Sequence, residues 1–331
     1  MKRFVDLADL TRDEVLALLE LARRLERQPE PHALAGKLLG LVFFNPSLRT
    51  LASFQAAMAR LGGHSLVVNP GQGSWQMESR AGAVMDGAAA EHVREGIPAL
   101  ASYCDALGIR VFAEGRDLAA DLADTAFNSM ASLIDKPLIN LESAVNHPCQ
   151  ALADWKTLDD LAVPRAGRFV LSWAYHPRAL PLAVPAAVLH MAALRGMEVI
   201  VLRPEGFALP PVLMERARRA AVLSGGSVRE TSERAEALAR ADVLYVKEWG
   251  ATERYGEAAL DAQLRRTLTG WCIDNDWFAA APDCRVMHCL PVRRNCAIAD
   301  EVLDSARSVV QREAHNRLPV QMAVLHRLLR S

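Results

Sequence analysis

A short polar segment, Ser47-Leu48-Arg49-Thr50, follows an apolar run and a turn. The run Leu38–Phe44 is typical of a strand, and the hydroxyls of Ser47 and Thr50 are typical of a helix N-terminus. Such a terminus exposes unpaired backbone N–H groups and the positive end of the helix dipole, which together bind oxyanions. The guanidinium of Arg49 adds a planar fork suited to phosphate. The segment predicts either an anion site or an ordinary helix cap.

Two further motifs combine polar groups with a proline. They are His147-Pro148-Cys149-Gln150 and the run from His288 to Asn295. Both follow apolar runs that are typical of strands. In open α/β sheets, ligands bind beyond the carboxyl ends of the strands. Five candidate residues are predicted at or just after such ends: Ser47, Arg110, His147, Lys247 and Cys289.

Apolar β-branched runs alternate with amphipathic segments along the whole chain, which predicts an α/β fold with two doubly wound parallel-sheet domains. The predicted strands are Leu39–Phe44, Ser65–Asn69, Leu107–Phe112, Pro137–Leu141, Phe169–Trp173, Glu198–Leu202, Val243–Lys247, Trp271–Asp274 and Arg285–His288. The predicted helices are Thr11–Glu26, Leu51–Leu61, Glu91–Tyr103, Ala119–Leu133, Gln150–Leu161, Ala183–Leu194, Pro211–Ser224, Glu233–Arg240 and Asn316–Arg330.

Composition narrows the class of protein. The chain has 331 residues, of which 51% are hydrophobic, which suits two globular domains. The formal net charge is -1, so no basic field indicates nucleic acid, and no apolar run is long enough to span a bilayer. The six cysteines include no C-x-x-C pair, and their spacing with His288 fits no common zinc site. We expect reduced thiols, no metal and a cytoplasmic protein.

The three polar motifs, in this order and at these separations, resemble the carbamoyltransferase family. The resemblance implies two domains with the active site in the cleft between them. Residues 1–147, joined by the returning helix 316–331, would bind carbamoyl phosphate, and residues 148–315 would bind the second substrate. It also implies a homotrimer and a reaction that needs no metal or cofactor. Leu51 stands where many members have an arginine at the subunit contact, which concerns the packing of the trimer.

The resemblance assigns roles to residues of this sequence. Arg110 would contact the phosphate and carbonyl oxygens, and His147 would donate to the carbonyl oxygen. Gln150 and the backbone carbonyls of Cys289 and Leu290 would bind the carbamoyl NH2. Thr50, Arg110 and His147 are the predicted catalytic residues. The full predicted carbamoyl phosphate set is Ser47, Leu48, Arg49, Thr50, Trp75, Arg110, His147, Gln150, Cys289, Leu290 and Arg317. Trp75 would reach the neighbouring subunit's site.

The second substrate is inferred from the end of the strand Val243–Lys247. Ordinary ornithine carbamoyltransferases have an aspartate there for the α-ammonium of ornithine, whereas this chain has Lys247. A lysine would repel that ammonium and favour a carboxylate. The segment Tyr175–Pro185 also resembles a proline-rich loop of the branch that acts on N-acylated ornithine, in which the backbone is knotted. The predicted acylornithine ligands are Glu142, His176, Lys247, Arg293 and Ala90. The pathway implied is arginine biosynthesis.

The acyl group is the least determined feature. Acetylornithine enzymes have a glutamate at the position aligned with Ala90 and a modified lysine near Ala297, and this chain has neither. A small residue at position 90 would tolerate a succinyl carboxylate, which favours N-succinylornithine over N-acetylornithine. The alternatives are an ordinary ornithine or aspartate carbamoyltransferase, or a non-catalytic paralogue. A nicotinamide dehydrogenase is disfavoured because no G-x-G-x-x-G follows the first strand.

Overall fold

The computed structural model describes residues 1–330. The chain divides into two compact units. The described part of the first comprises Met1–Glu114, Ala119–Cys149 and 317–330, and the second comprises Gly115–Leu118 and Gln150–Asn316. The divisions after Cys149 and after Asn316 lie within two residues of the predicted boundaries, whereas the placement of Gly115–Leu118 in the second unit was not predicted.

The first unit is built on a five-stranded parallel sheet with the order β1-β7-β6-β2-β3. A separate parallel pair, β4-β5, lies outside it. The strands are β1 (Arg3–Phe4), β2 (Leu38–Phe43), β3 (His64–Val68), β4 (Met77–Glu78), β5 (Glu91–His92), β6 (Ala106–Arg110) and β7 (Leu138–Glu142). Apolar runs such as β2 suit a parallel sheet, whose two faces are both covered. Val42, Ile109 and Leu138 are buried in one core with Ile97 and Phe127.

The second unit has its own five-stranded parallel sheet with the order β10-β9-β8-β11-β12. Its strands are β8 (Arg168–Trp173), β9 (Glu198–Leu202), β10 (Ser227–Thr231), β11 (Val243–Lys247) and β12 (Arg285–Met287). The core on one side of this sheet combines Val170, Leu244 and Ile200 with Trp277 and Phe278. The prediction of two parallel α/β domains is confirmed.

Helices connect the parallel strands, as such connections require. They are α1 (Arg12–Arg27), α2 (Leu48–Arg60), α3 (Val93–Tyr103), α4 (Leu118–Leu122), α5 (Thr125–Ala131), α6 (Pro148–Asp160), α7 (Ala183–Arg195), α8 (Pro211–Ser224), α9 (Arg234–Leu238), α10 (Ala258–Arg266), α11 (Asp300–Leu303) and α12 (Val310–Leu329). Short 3₁₀ turns cover Leu7–Asp9, Thr252–Arg254 and Asn275–Phe278. The division between the units falls inside α6 and inside α12.

Two predicted elements are wrong. Trp271–Asp274 is not a strand, and Ile273 makes only an isolated bridge with Ile298. The predicted helix Ala119–Leu133 is broken into α4 and α5 at Asp124, whose φ of 54° is left-handed. The break has a use, because the Asp124 carboxylate accepts from the Ala144 backbone N–H at 3.1 Å and so holds the loop after β7.

Several elements escaped prediction. Four strands were missed because they lack a long apolar run: the short strands β1, β4 and β5 and the polar strand β10. Helix α10 was missed for the same reason. Helix α12 begins at Val310, six residues before its predicted start at Asn316. The additional turn contains Glu313, whose carboxylate accepts a hydrogen bond from the predicted site residue Gln150.

Candidate active site

The polar segment after β2 starts helix α2, with Ser47 as its N-cap. The Ser47 hydroxyl accepts from the backbone N–H of Thr50 at 3.3 Å. The cap therefore uses one of the unpaired N–H groups of the first turn, and the anion-binding role stays a prediction. Thr50 is fully buried, whereas Leu48 is 80% exposed. The side chain of Leu48 is apolar, so only its backbone N–H could donate to an anion.

Arg317 connects this helix start to the histidine motif. Its Nη2 donates to the Thr50 hydroxyl at 2.8 Å, and its Nη1 lies 3.4 Å from Nε2 of His147. All three side chains are buried and belong to the first unit. The late arginine and the early helix start, 267 residues apart in sequence, are thus brought together by the fold.

Arg110 lies at the end of β6 and pairs with Glu142 at the end of the neighbouring strand β7. Its Nε donates to the backbone carbonyl of Asn45 at 3.2 Å, next to the polar segment. Glu142 Oε2 is also 3.4 Å from His147 Nε2. The parallel strands place these residues at one edge of the sheet, as their carboxyl-terminal positions predicted.

The group formed by His147 with Arg49, Arg110 and Arg317 in the first unit is electropositive. Burial lowers the pKa of His147 well below its usual value, and the charges of Arg317, Arg110 and Arg49 lower this pKa further. Burial likewise lowers the pKa of Arg317. His147 is therefore a neutral ring, and its Nδ1 is buried without a hydrogen-bond partner among residues 1–330. A neutral histidine amid several arginines is suited to polarise an oxygen of an anionic ligand.

The loop between β3 and α3 carries the remaining first-unit candidates. Trp75 is 59% exposed, and its indole Nε1 donates to Glu91 Oε2 at 2.8 Å. Ala90 is exposed, and its N–H donates to the Gln76 carbonyl at 3.2 Å. The loop also exposes Val84 and Met85, so it presents several large apolar side chains.

In the second unit, Lys247 ends β11 and is buried. Lys247 therefore does not face solvent. Its Nζ donates to Glu248 Oε2 at 2.7 Å, and His288 Nε2 lies 3.4 Å from the same carboxylate. Lys247 and His288 hold the pKa of the Glu248 carboxyl well below its usual range, against the opposing effect of burial. Glu248 thus balances the charge of Lys247 inside the protein.

His176 and Arg293 form a second pair in this unit. Arg293 Nε donates to His176 Nε2 at 2.9 Å, which makes that nitrogen an acceptor and puts the ring proton on Nδ1. His176 Nδ1 lies 2.8 Å from the Arg178 carbonyl, which accepts that proton, so the Arg178 backbone nitrogen 3.0 Å away cannot also donate to Nδ1. Burial lowers the pKa of His176, so the ring is neutral, and the charges of Glu248 and Lys247 act on it. The predicted residues His176, Lys247 and Arg293 therefore belong to one neighbourhood.

The predicted acceptors of the carbamoyl NH2 also lie in the second unit. Gln150, near the start of α6, is buried and donates from Nε2 to Asp154 Oδ1 at 2.8 Å and to Glu313 Oε1 at 3.0 Å. Leu290 has a left-handed φ of 56°, and its N–H donates to His288 Nδ1 at 2.9 Å. The ring of His288 thus supports an unfavourable backbone conformation for leucine.

The two predicted ligand sets do not divide neatly between the units. The carbamoyl phosphate candidates Gln150, Cys289 and Leu290 belong to the second unit, and the others belong to the first. Two acylornithine candidates, Ala90 and Glu142, belong to the first. Residues 1–330 contain no group of three histidines, cysteines or acidic residues that could hold a metal.

Three buried acidic residues were missed by sequence reasoning: Asp154, Glu248 and Glu313. Each is placed against a predicted site residue, Glu248 beside Lys247 and the other two around Gln150. The available signal was weak. Asp154 lies four residues after Gln150, which puts both side chains on one face of a helix.

Comparison with known proteins identifies relatives over almost the whole chain. The family model described as the carbamoyl phosphate-binding domain of aspartate/ornithine carbamoyltransferases matches residues 2–160, and that of the Asp/Orn-binding domain matches residues 184–328. The N-acetylornithine carbamoyltransferase of Xanthomonas campestris pv. campestris is 37% identical over 99% of this chain and 98% of its own length. The N-succinylornithine carbamoyltransferase of Bacteroides fragilis is 34% identical over 88% of this chain and 87% of its own.

A solved structure is equally similar. It is a variant of N-acetyl-L-ornithine transcarbamylase in which a glutamate is replaced by alanine, complexed with carbamyl phosphate and N-succinyl-L-norvaline. The TM-score is 0.95 and the identity 37%, over 99% of this chain and 100% of the other. Within residues 1–330 of our protein, none of the helices combines the length and the apolar character needed to cross a bilayer.

Proposed function

The chain belongs to the aspartate/ornithine carbamoyltransferase family, and we propose that it transfers the carbamoyl group of carbamoyl phosphate to the δ-amine of an N-acylated L-ornithine. The products are N-acyl-L-citrulline and inorganic phosphate. The observation that carries the donor half is the buried, electropositive cluster of Thr50, Arg110, His147 and Arg317. Such a cluster suits a doubly charged phosphate with a carbonyl beside it.

The acceptor half rests on Lys247 and on the named relatives. A buried lysine at the end of β11 disfavours a free α-ammonium and favours the α-carboxylate of a substrate whose α-nitrogen is acylated. His176 and Arg293 extend the same neighbourhood and would contact the acylated amino acid. The relatives of similar length are named for N-acetylornithine and N-succinylornithine.

The reaction is a direct displacement. The neutral δ-amine attacks the carbamoyl carbon, the new C–N bond forms, and the C–O bond to phosphate breaks with its electron pair leaving on the phosphate. The amine proton passes to the departing phosphate. His147 and Arg110 stabilise the negative charge that develops on the carbonyl oxygen, and Ser47, Arg49, Thr50 and Arg317 hold the phosphate. The side chain of Gln150 and the carbonyls of Cys289 and Leu290 orient the carbamoyl NH2.

For the acyl group we propose succinyl. The supporting feature is Ala90, which carries no charge to repel a succinyl carboxylate. In the similar solved structure, a glutamate-to-alanine variant holds N-succinyl-L-norvaline. We align Ala90 with the position that carries a glutamate in acetylornithine enzymes. Acetyl remains the competing choice because the N-acetylornithine relative is the more identical of the two, 37% against 34%.

The test is a comparison of citrulline-type product formation with carbamoyl phosphate and each of four amines: N-succinylornithine, N-acetylornithine, ornithine and aspartate. We expect kcat/KM to be highest for N-succinylornithine and lowest for ornithine and aspartate. Efficient turnover of free ornithine would overturn the N-acyl assignment. A higher value for N-acetylornithine would overturn only the succinyl choice.

We further propose a homotrimer in which Trp75 completes a neighbour's site. The support is the exposed apolar surface of Trp75, Val84 and Met85 on one loop, since monomers rarely expose such clusters. Mixing inactive Trp75→Ala and inactive Arg49→Ala subunits should restore part of the activity, because mixed assemblies then contain some intact sites. A fully active monomer would contradict this arrangement.

Cellular context completes the proposal. The six cysteines are free thiols within the described residues, which fits a reducing cytoplasm. Arginine biosynthesis is the process that such a product would serve. The knotted backbone implied for the proline-rich loop stays a prediction.

A further inference from the structure

Glu313 is an acidic residue that the carbamoyl transfer reaction does not use directly, yet it is fully buried in the second unit. Its carboxylate accepts hydrogen bonds from two segments of the candidate site and from the hydroxyl of Tyr245. Oε1 accepts from Gln150 Nε2 at 3.0 Å and from the Tyr245 hydroxyl at 3.2 Å. Oε2 accepts from the backbone N–H of His288 at 2.9 Å. A buried carboxylate is costly unless it is hydrogen-bonded, and this one is bonded on both oxygens.

The first segment is the side chain of Gln150. Both N–H bonds of its amide are directed at carboxylates, one at Asp154 and one at Glu313. Turning the amide over would break both of these hydrogen bonds at once. The orientation of Gln150 is therefore fixed, and its Oε1 is the group that can accept from a ligand N–H.

The second segment is the loop that begins at His288. Its backbone N–H is held by Glu313, and its ring accepts from the N–H of Leu290, which lies in the left-handed region. The carbonyls of Cys289 and Leu290 lie directly after this anchor. Glu313 thus holds the start of the loop that presents them.

The buried pair of Asp154 and Glu313 is also restrained electrostatically. Burial raises the pKa of Glu313 well above its ordinary value, and the neighbouring Asp154 carboxylate raises this pKa further. One proton shared by the pair removes the like-charge repulsion. The remaining charge still attracts the N–H groups of Gln150 and His288.

We propose that Glu313 is a positioning residue for recognition of the carbamoyl NH2, because it fixes both the Gln150 oxygen and the loop that carries the Cys289 and Leu290 carbonyls. This inference rests on the proposed function, in which those three acceptors bind the amide of carbamoyl phosphate. Its specific consequence is selectivity. Glu313 sets the preference for carbamoyl phosphate over acetyl phosphate, in which a methyl group replaces the NH2.

The experiment compares three ligands on wild type and Glu313→Gln. The variant keeps the shape of the side chain but replaces one acceptor oxygen by a donor, so either Gln150 or the His288 N–H loses its partner. We measure kcat and KM for carbamoyl phosphate, with inhibition constants for acetyl phosphate and inorganic phosphate. KM for carbamoyl phosphate should rise by about tenfold, as expected for the loss of one buried hydrogen bond. Both inhibition constants should stay within about twofold, because neither inhibitor has an NH2.

Matched variants separate positioning from folding. Glu301→Gln, at an exposed position of α11, should leave all three constants unchanged. Asp154→Asn tests the other carboxylate beside Gln150. It places a donor against the Gln150 amide, so it should also raise KM for carbamoyl phosphate selectively, by about threefold. If Glu313→Gln does not fold, the Asp154→Asn result decides in its place.

The outcomes are distinguishable. Equal weakening of all three ligands would overturn the positioning role and leave Glu313 a structural residue. Unchanged selectivity in a folded variant would overturn it as well. A wild-type protein that forms no citrulline-type product and does not prefer carbamoyl phosphate to acetyl phosphate would instead overturn the proposed function. An active wild type with an unaffected variant would overturn only the role of Glu313.

Discussion

The two units differ in how their buried cations are paired with carboxylates. In the first, the charges of Arg49, Arg110 and Arg317 act on the neutral ring of His147, and Glu142 pairs with Arg110. In the second, the cation Lys247 is matched by Glu248 within the protein. An excess of buried positive charge is best compensated by an anion, whereas a balanced pair has little need of one. We therefore expect the first unit to bind the phosphate, and the second to select its ligand by local contacts rather than by net charge.

This contrast changes how Lys247 is interpreted. On sequence alone, the lysine implies strong repulsion of an α-ammonium. With Glu248 at 2.7 Å, much of that long-range repulsion is cancelled. Discrimination against free ornithine must come from direct contact with the Lys247 ammonium, which donates but cannot accept hydrogen bonds. An acylated nitrogen removes the conflict because it carries no charge.

The largest effect is expected from Arg110→Ala, which removes one of the cations around His147 in the first unit. Activity should be nearly abolished. Stability should also fall, by about 3–5 kcal/mol, because Glu142 is left buried without its ion-pair partner. Urea unfolding and steady-state kinetics check both. The double variant Arg110→Ala with Glu142→Ala should recover much of the stability but none of the activity. A double variant no more stable than the single one would show that the pair does not determine stability here.

Lys247→Met tests how the second unit, in which Lys247 pairs with Glu248, binds the acylated amino acid. It should raise KM for N-acylornithine by about 10-fold or more, since a charge-assisted contact is worth about 1.5–3 kcal/mol. The inhibition constant of inorganic phosphate should not change, because the phosphate candidates belong to the other unit. A parallel loss of phosphate affinity would contradict the separation of the two charge environments. Arg229→Met, at a partly buried position of β10, controls for the loss of a cation elsewhere in the second unit.

The neutral state of His147 predicts a pH dependence of stability. Its pKa in the folded protein is lowered, so below about pH 6.5 the unfolded chain binds a proton that the folded protein does not. Stability should therefore be full above that pH and decline on acidification, by up to about 1.4 kcal/mol per pH unit for this group. In His147→Asn the decline should be shallower. His176 and His326 shift in the same direction and should leave a residual slope. An unchanged slope would contradict a neutral buried His147.

The smallest effect is expected at the exposed loop. Ala90→Glu should lower kcat/KM for N-succinylornithine by about three- to tenfold through like-charge repulsion in a partly screened position. Turnover of N-acetylornithine should be spared or improved. Equal losses for both substrates would mean that position 90 does not contact the acyl group.

The sequence supplied the family, the two parallel sheets and most residues of the electropositive cluster. It could not supply the buried carboxylates. Glu248 follows Lys247 directly, and neighbours in a strand face opposite sides. The two side chains meet because β11 ends at Lys247 and the chain leaves the strand there. Glu313, in the first turn of α12, could be read as an ordinary favourable charge at a helix start. Its partner Gln150 is 163 residues away, so only the fold reveals their contact.

Direct observation of the transferred group is the strongest test of the central claim. Carbamoyl phosphate labelled at its carbon would be mixed with N-succinylornithine, and the product followed by NMR together with released phosphate. We predict that the label appears in the ureido carbon of N-succinylcitrulline, with one phosphate released per product, and that Arg49→Ala strongly suppresses both. Phosphate release without a labelled ureido product would contradict carbamoyl transfer to the acylated amine.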